Sequence, residues 1–301
     1  MKIAISGASG FIGTRLLETL AAAGHQLHVF SRRTGAPPPS AANLSVWDPI
    51  AGEPASQDLR DQDAVIHLAG ENVGQRWTAE ARRRILESRV NGTRNLVAAL
   101  ARLSRRPATL ICASATGYYG PRGDEILDES AAPGTGFLAE VCAAWEREAQ
   151  AAGSLGMRVV RMRIGLVLDP RGGALQRMLP PFRMGVGGRL GDGRQWMSWI
   201  HLDDLAALFR FALEQPLEGP VNGVAPEPVT NAEFTRALAG ALRRPAFCPL
   251  PAIALRALFG EMAAMLLTGQ RVVPRAAYAA GFTFRFPRLD AALADLLKRR
   301  V

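Results

Sequence analysis

Apolar positions near the start of the chain change from a short run to a helical spacing and back to a short run. Residues 2–6 read KIAIS, leucines then recur at helical spacing up to about Gly24, and residues 26–30 read QLHVF. A continuous apolar run of this length is typical of a buried strand. The pattern therefore predicts a β-α-β unit within about thirty residues.

The same alternation continues well beyond this first unit. Further strand-like runs occur at 44–47, 64–68, 108–113 and 157–163, and helical patterns occupy 78–103 and 136–153. Strands that alternate with helices indicate a parallel sheet covered on both faces. We therefore predict an α/β protein with a doubly wound parallel Rossmann-like sheet.

The alternation stops after Arg163, where the sequence becomes rich in glycine and proline. A helical pattern follows near 203–215, and mostly helical patterns continue from 230 onward. We predict a Rossmann-like domain over 1–165, with elements near 200–225 returning to it, and a smaller, mostly helical substrate lobe over 166–301, interleaved with the first domain.

Composition and charge narrow the class of protein. The chain has 301 residues, of which 48% are hydrophobic and 21% charged, as expected of a soluble globular protein. The net charge of +9 comes from scattered arginines, since Lys2 and Lys298 are the only lysines. No aromatic residues alternate with the arginine clusters, so we expect no nucleic-acid partner.

The N-terminal residues resemble neither a signal peptide nor a membrane span, so we expect a cytoplasmic protein that does not bind membranes. Cys112, Cys142 and Cys248 are far apart in the sequence and no histidines cluster near them. We therefore expect buried free thiols and no metal site.

A glycine-rich turn closes the first predicted strand and opens the first predicted helix. Its residues read GASGFIG, with Gly7, Gly10 and Gly13 flanking Phe11 and Ile12. Glycines allow a tight turn, and backbone N–H groups at a helix N-terminus stabilise a pyrophosphate. The context of strand, turn and helix makes this a predicted dinucleotide-binding loop.

The end of the second strand discriminates between the two nicotinamide dinucleotides. An acidic residue there binds the free ribose 2′-hydroxyl of NAD. Here Ser31, Arg32 and Arg33 follow Phe30, and the next acidic residue after them is Asp48. A hydroxyl and guanidinium groups favour a phosphate, so we predict NADP(H) with Ser31 and Arg32 at its 2′-phosphate. The alternative is a solvated arginine pair at a strand end.

Four motifs in this order resemble the extended short-chain dehydrogenase/reductase superfamily: GASGFIG, AVIHLAGEN at 64–72, VNGTRNLV at 90–97 and LICASATGYYG at 110–120. The later motifs GDGRQWMSWIHLDDL and GEMAAMLLTGQRVVPRAAYAAGF are similar to those of its atypical branch of epimerase-family proteins. The resemblance covers nearly the whole chain.

The resemblance implies positions for several residues around the cofactor. It puts Leu68, Ala69 and Gly70 against the adenosine and ribose, Arg89 near the polar groups of the cofactor, and Ser114 beside the nicotinamide. Small residues at the end of a strand also permit the close approach of a ligand. The alternative for Arg89 is an ordinary arginine on a helix surface.

In this superfamily a tyrosine transfers the proton, and a lysine four residues later supports it. The usual spacing from Ser114 leads to Phe137 and Val141, which have neither function. Three residues are candidate replacements as the acid/base group: Tyr118, Tyr119 and Glu140. The alternative for Glu140 is a solvent-facing glutamate on a helix, without a catalytic function.

The position that carries a diphosphate-binding arginine in sugar-nucleotide epimerases is Met197 here, with Arg189 and Arg194 as possible substitutes. We expect His201 to be a structural histidine.

We therefore predict an NADP(H)-binding oxidoreductase or epimerase-like protein that acts on a small, unidentified substrate. The alternative is a non-catalytic NADP(H)-binding regulatory or interaction protein.

Overall fold

The computed structural model of the protein describes residues 1–298. Its strands are β1 Lys2–Ser6, β2 Gln26–Ser31, β3 Asn43–Val46, β4 Ala64–His67, β5 Thr109–Ala115, β6 Ile126–Leu127, β7 Arg158–Ile164, β8 Leu166–Leu168, β9 Trp196–Met197, β10 Trp199–His201, β11 Gly219–Gly223, β12 Val229–Thr230 and β13 Arg271–Val272. Seven of them form one sheet in the order β11-β7-β5-β4-β1-β2-β3, and every neighbouring pair in it is parallel. The predicted α/β class with a parallel Rossmann-like sheet is confirmed.

The helices are α1 Phe11–Ala22, α2 Ser56–Leu59, α3 Ala79–Ala101, α4 Phe137–Gln150, α5 Gly173–Arg183, α6 Leu202–Glu214, α7 Asn231–Leu242, α8 Ala252–Phe259, α9 Ala263–Leu267, α10 Arg275–Ala279 and α11 Leu289–Lys298. Short 3₁₀ turns occupy Thr116–Tyr119, Ala151–Leu155 and Gly260–Met262.

Helices cover both faces of the large sheet, and each face has its own apolar cluster. Leu16 and Leu20 of α1 pack with Phe209 of α6 on one face. Leu100 of α3 packs with Trp145 of α4 on the other face. Full burial of such side chains contributes roughly 1.5–3 kcal/mol each, which explains why the strands read as continuous apolar runs.

A third apolar cluster draws all its buried members from residues 168–296, including Leu175, Phe182, Phe234 and Leu293. Helix α5 was not foreseen, because its segment starts with two glycines, Gly172 and Gly173, and contains Pro180 and Pro181. Its apolar residues are spaced along one buried face, and both prolines lie near its C-terminal end. Burial of that face therefore outweighs the two backbone donors that the prolines lack.

Strand β11 follows these later elements in sequence and yet forms the edge of the first sheet, paired with β7. Cys112 and Cys142 are buried, whereas Cys248 is exposed, so the expectation of a buried thiol is wrong for Cys248. This cysteine belongs to the loop between α7 and α8 and faces solvent there. Within residues 1–298, no helix is both long and apolar enough to cross a membrane.

Candidate functional site

The glycine-rich turn between β1 and α1 is tightly packed against the end of β4. Gly7 has a φ of +73°, and a Cβ there would lie 2.7 Å from the backbone of Leu68 and Ala69. A Cβ at Gly13 would clash with the backbone of Gly7 and Ala8. These two glycines are therefore required by the packing of the turn itself.

Gly10 differs from the other two glycines. Its φ of −77° suits any residue, and a Cβ there would meet only the Gly7 carbonyl oxygen at 3.2 Å. Gly10 precedes α1, whose N-terminus has no side-chain cap. The free N–H groups of Phe11 and Ile12 and the partial positive charge of the helix end remain available to an anion.

The end of β2 presents cationic side chains without acidic partners. The Ser31 hydroxyl oxygen accepts a bond from the Arg33 backbone N–H at 3.0 Å, which fixes the turn. Arg32 and Arg33 are exposed, and neither makes an ion pair within residues 1–298. This arrangement suits a phosphate, which needs donors that are not already neutralised.

The end of β4 faces Gly7 and carries the small residues predicted for close approach. Leu68 and Ala69 are half-buried, Gly70 is exposed, and a Cβ at Gly70 would lie 3.1 Å from the Arg89 guanidinium carbon. Arg89 is half-buried and stacks at 5.1 Å on Trp145. It is therefore not an ordinary surface arginine.

The charge of Arg89 is poorly compensated. Its Nη1 donates only to the carbonyl oxygens of Glu71 and Ile85, at 2.9 and 3.2 Å. Burial lowers the pKa of the guanidinium. A half-buried cation bonded to carbonyls is well suited to receive an anionic or hydroxyl-rich ligand.

Ser114, at the end of β5, belongs to a buried charged cluster. Its hydroxyl donates to Glu146 Oε1 at 2.7 Å. Arg163 donates to both oxygens of the Glu146 carboxylate at 2.8 and 2.9 Å, and Arg161 lies 3.7 Å from it. Glu146 and Arg163 are 3% and 2% exposed. Burial opposes the charge of Arg163, but the Glu146 bonds outweigh it and raise its pKa.

The two tyrosines after β5 have different environments. Tyr119 is fully buried, donates to Asn222 Oδ1 at 2.7 Å and accepts from Arg163 at 2.9 Å. Burial raises the pKa of Tyr119 to about 12. This placement does not favour Tyr119 as a donor to substrate. Tyr118 is half-buried, and its hydroxyl makes no hydrogen bond within residues 1–298.

Tyr118 also has a cationic neighbour that its sequence position did not reveal. The Arg163 guanidinium carbon lies 3.5 Å from the centre of the Tyr118 ring. Such stacking holds the ring in place and is worth about 0.5–2 kcal/mol. Among the candidate proton donors, Tyr118 has an accessible hydroxyl on a fixed ring.

The N-terminal turn of α4 carries the positions to which the usual spacing from Ser114 leads. The ring of Phe137 lies 5.2 Å from that of Trp77 and 4.5 Å from the Arg82 guanidinium. Leu138 and Cys142 of the same helix lie near Gly117, just beyond β5. Neither these residues nor Val141 have the function of the usual tyrosine or lysine.

Cys142 lies closer to the candidate site than the sequence indicated. Its thiol interacts with Ser114 and, electrostatically, with Arg89. Burial raises the pKa of this thiol to about 11, so it is protonated and unreactive at neutral pH. Glu140, the third candidate donor, is exposed on α4.

The residues that the sequence suggested for substrate binding have contacts of their own in the second half of the chain. The Met197 sulfur accepts from Asn231 Nδ2 at 3.5 Å, and Arg189 and Arg194 are exposed. His201 caps α6, because its Nδ1 accepts from the Asp203 backbone N–H at 3.0 Å. This position is that of a structural histidine.

Glu146 and Arg163 were missed by sequence reasoning. Each lies in an apolar segment that reads as core, Glu146 beside Trp145 on α4 and Arg163 between Met162 and Ile164 on β7. The available signal was one acidic and one basic residue in segments predicted to be buried. Such residues are seldom buried unless they are paired.

A parallel sheet in this strand order, with a glycine-rich turn opening α1, defines a Rossmann-like protein of the extended short-chain dehydrogenase/reductase type. The particular family follows from direct comparison. The chain belongs to the NAD dependent epimerase/dehydratase family, whose model matches residues 3–225. A domain of unknown function, DUF1731, matches residues 250–296.

Similar proteins span almost the entire chain. "Epimerase family protein Mb2239" of Mycobacterium bovis is 46% identical over 97% of this chain and 96% of its own length. The crystal structure of human epimerase family protein SDR39U1 (isoform2) with NADPH is 38% identical, with a TM-score of 0.89 and 99% coverage of both chains. MoeE5 in complex with UDP-glucuronic acid and NAD has a TM-score of 0.80 over 100% of both chains but only 21% identity, so it shows the fold alone.

Proposed function

We propose that this protein is an NADP(H)-dependent oxidoreductase acting on a small carbonyl or alcohol substrate at the carboxyl ends of β1, β4 and β5. The observation that carries the cofactor assignment is the end of β2, where Ser31 and the unpaired Arg32 stand in place of an acidic residue. The NADPH of the human SDR39U1 structure supports the same choice.

The residues around the glycine-rich turn fit a dinucleotide. The open position at Gly10 leaves room beside the uncapped end of α1 for a pyrophosphate, bonded by the N–H groups of Phe11 and Ile12. Arg32 would bind the 2′-phosphate, because it is exposed and makes no ion pair within residues 1–298. Arg89 would bind the ribose or the phosphates, because its hydrogen bonds go to backbone carbonyl oxygens.

A bound nicotinamide supplies or accepts the hydride, so the protein has to supply a proton at the substrate oxygen. Tyr118 is the favoured donor, since its hydroxyl is accessible and its ring is held by Arg163. The Ser114 hydroxyl already donates to Glu146 and therefore offers its lone pairs, which suits an acceptor role toward a substrate or amide N–H.

The first test measures cofactor preference by calorimetry. NADPH is expected to bind roughly 10- to 100-fold more tightly than NADH. Arg32→Asp is expected to reverse that order, because a carboxylate repels the 2′-phosphate and accepts from a free 2′-hydroxyl. Arg60→Asp, at another exposed arginine, is the matched control. Equal affinities in the unmodified protein would refute the NADP(H) assignment.

The second test measures turnover. NADPH oxidation is followed across aldehydes, ketones and quinones for the unmodified protein, Tyr118→Phe, Tyr119→Phe and Glu140→Gln. Loss of the acid/base group is expected to lower the rate by about 10²- to 10⁴-fold without changing NADPH affinity. Tyr118→Phe is expected to have that effect, and Glu140→Gln to be nearly neutral.

A non-catalytic NADP(H)-binding protein is the second candidate function. The absence of tyrosine and lysine at positions 137, 138, 141 and 142 favours it. That alternative is supported if NADPH binds stoichiometrically while no compound in the panel is reduced above the uncatalysed rate. Rapid epimerisation of a UDP-sugar would contradict both candidates, because neither Phe137 nor Met197 serves that reaction.

A further inference from the structure

Two segments of the second half of the chain expose apolar side chains side by side. Met184, Phe247 and Ile253 are 70%, 74% and 80% exposed, and Val186 and Leu258 are also exposed. Isolated exposed apolar residues are common, but a contiguous group is unusual in a monomeric protein. We call this group, together with the arginines described below, the cationic apolar surface.

Backbone contacts bring the two segments together. Cys248 N–H donates to the Gly187 carbonyl at 3.3 Å, and Leu250 N–H donates to the Arg189 carbonyl at 2.9 Å. A Cβ at Gly185 would touch Pro245 at 3.4 Å. The segment 184–191 therefore lies along 245–250, directly before α8, which carries Ile253 and Leu258.

The charged residues on this surface all have the same sign. No aspartate or glutamate occurs in 170–191 or in 234–260. Among the exposed arginines of these segments, Arg171 pairs with Asp169 at 2.9 Å, next to the start of α5. Five others make no ion pair within residues 1–298; they are Arg183, Arg189, Arg243, Arg244 and Arg256. Exposed arginines elsewhere are commonly paired, as Arg82 is with Glu261 and Arg94 with Glu148.

We propose that the cationic apolar surface docks an acidic segment of a partner protein, with apolar side chains seated among Met184, Val186 and Phe247 and carboxylates bonded to the surrounding arginines. Charge complementarity carries this choice of partner, because unpaired arginines around exposed apolar groups match acidic residues around apolar anchors. The inference is independent of the proposed enzymatic activity.

Two other occupants fit less well. A second copy using the same surface would place arginines against arginines in a protein of net charge +9. A bilayer is best matched by a long amphipathic helix with a continuous apolar face. Here the apolar residues are divided between two loops and the eight-residue helix α8.

The test uses the full-length protein and a fluorescent amphipathic peptide of about 15 residues that alternates glutamate and leucine at helical spacing. A peptide with lysine in place of glutamate is the matched probe. Anisotropy is expected to detect binding of the acidic peptide only. Arg243→Glu/Arg244→Glu and, separately, Phe247→Ser are each expected to weaken it at least about tenfold.

Arg105→Glu/Arg106→Glu is the control, since it changes the net charge equally at two exposed arginines far along the chain from this surface. Thermal melts with NADPH check that each variant is folded and still binds cofactor, which separates this proposal from the cofactor assignment. The proposal is overturned if the control weakens binding as much as the surface variants do. It is also overturned if phosphatidylglycerol vesicles bind through these residues while the acidic peptide does not.

Discussion

The carboxyl ends of the parallel strands lie along one side of the large sheet, and two parts of that side use buried polar residues in opposite ways. At the cofactor edge, formed by the carboxyl ends of β1, β2 and β4, the buried pair is neutral: the Ser6 hydroxyl lies 2.6 Å from His67 Nδ1. At the β5 edge, formed by the ends of β5, β7 and β11, the buried pair is the charged Glu146–Arg163 ion pair. The buried polar pair is therefore uncharged at the cofactor edge and charged at the β5 edge.

The difference reflects what each edge must hold. Within residues 1–298, the cofactor edge presents hydrogen-bond donors that have no acidic partner, namely the N-terminus of α1 and Arg32, and an anionic ligand would pair with them. At the β5 edge the polar groups bind one another. Arg163 pairs with Glu146 of α4, stacks on Tyr118 and donates to the Tyr119 hydroxyl, which in turn donates to Asn222 of β11. Ligand affinity is therefore expected to depend on the cofactor edge, and stability on the β5 edge.

The largest expected effect is the loss of stability in Glu146→Gln. Removing the carboxylate leaves Arg163 buried and uncompensated, which is expected to lower the free energy of unfolding by about 3–5 kcal/mol. Glu148→Gln is the matched control, since its ion pair with Arg94 is largely exposed and is worth less than about 1 kcal/mol. Denaturant titration measures the free energy of unfolding of both variants. Equal losses would mean that the buried ion pair stabilises the protein no more than the exposed one.

Next in size is the loss of cofactor binding in Gly10→Val. The φ of −77° at Gly10 suits a branched residue, whose Cβ would meet only the Gly7 carbonyl oxygen, at 3.2 Å. The branches of valine would fill the space beside the N-terminus of α1. NADPH affinity is expected to fall at least about 100-fold while the protein stays folded. Gly240→Val, where a Cβ meets nothing within 4 Å, is the control. A melting temperature that still rises normally with NADPH would mean that the phosphate loop is elsewhere.

The contrast between the edges also explains what could be predicted from the sequence. The cofactor edge is local in sequence, since Gly7 to Gly13 and Ser31 to Arg32 follow directly from single strands. The β5 edge joins distant residues, for example Tyr119 and Asn222, which are 103 positions apart. The spacing of apolar residues along the sequence does not indicate a contact between positions so far apart. Helix α5 was missed for a different reason, because its local glycines and prolines contradict a helix that only tertiary burial stabilises.

The smallest expected effect concerns pH and tests whether the cofactor edge is the acid-sensitive one. Burial lowers the pKa of His67 to about 4, below its ordinary value of 6.5. The unfolded chain therefore binds this proton first as the pH falls. The stability associated with neutral His67 is fully present above pH 6.5 and is lost as the pH falls toward 4.

The expected loss is about 3 kcal/mol across that window, because each pKa unit between 6.5 and about 4 corresponds to about 1.4 kcal/mol. His67→Asn keeps a polar group near Ser6 but cannot be protonated, so its stability is expected to decline less over the same range. The measurement is denaturant unfolding of both proteins at several pH values. The quantity compared is the difference between their free energies of unfolding, because the contribution of the carboxylates that both proteins share cancels in it. Parallel curves for the two proteins would show that His67 is not responsible for the loss of stability in acid.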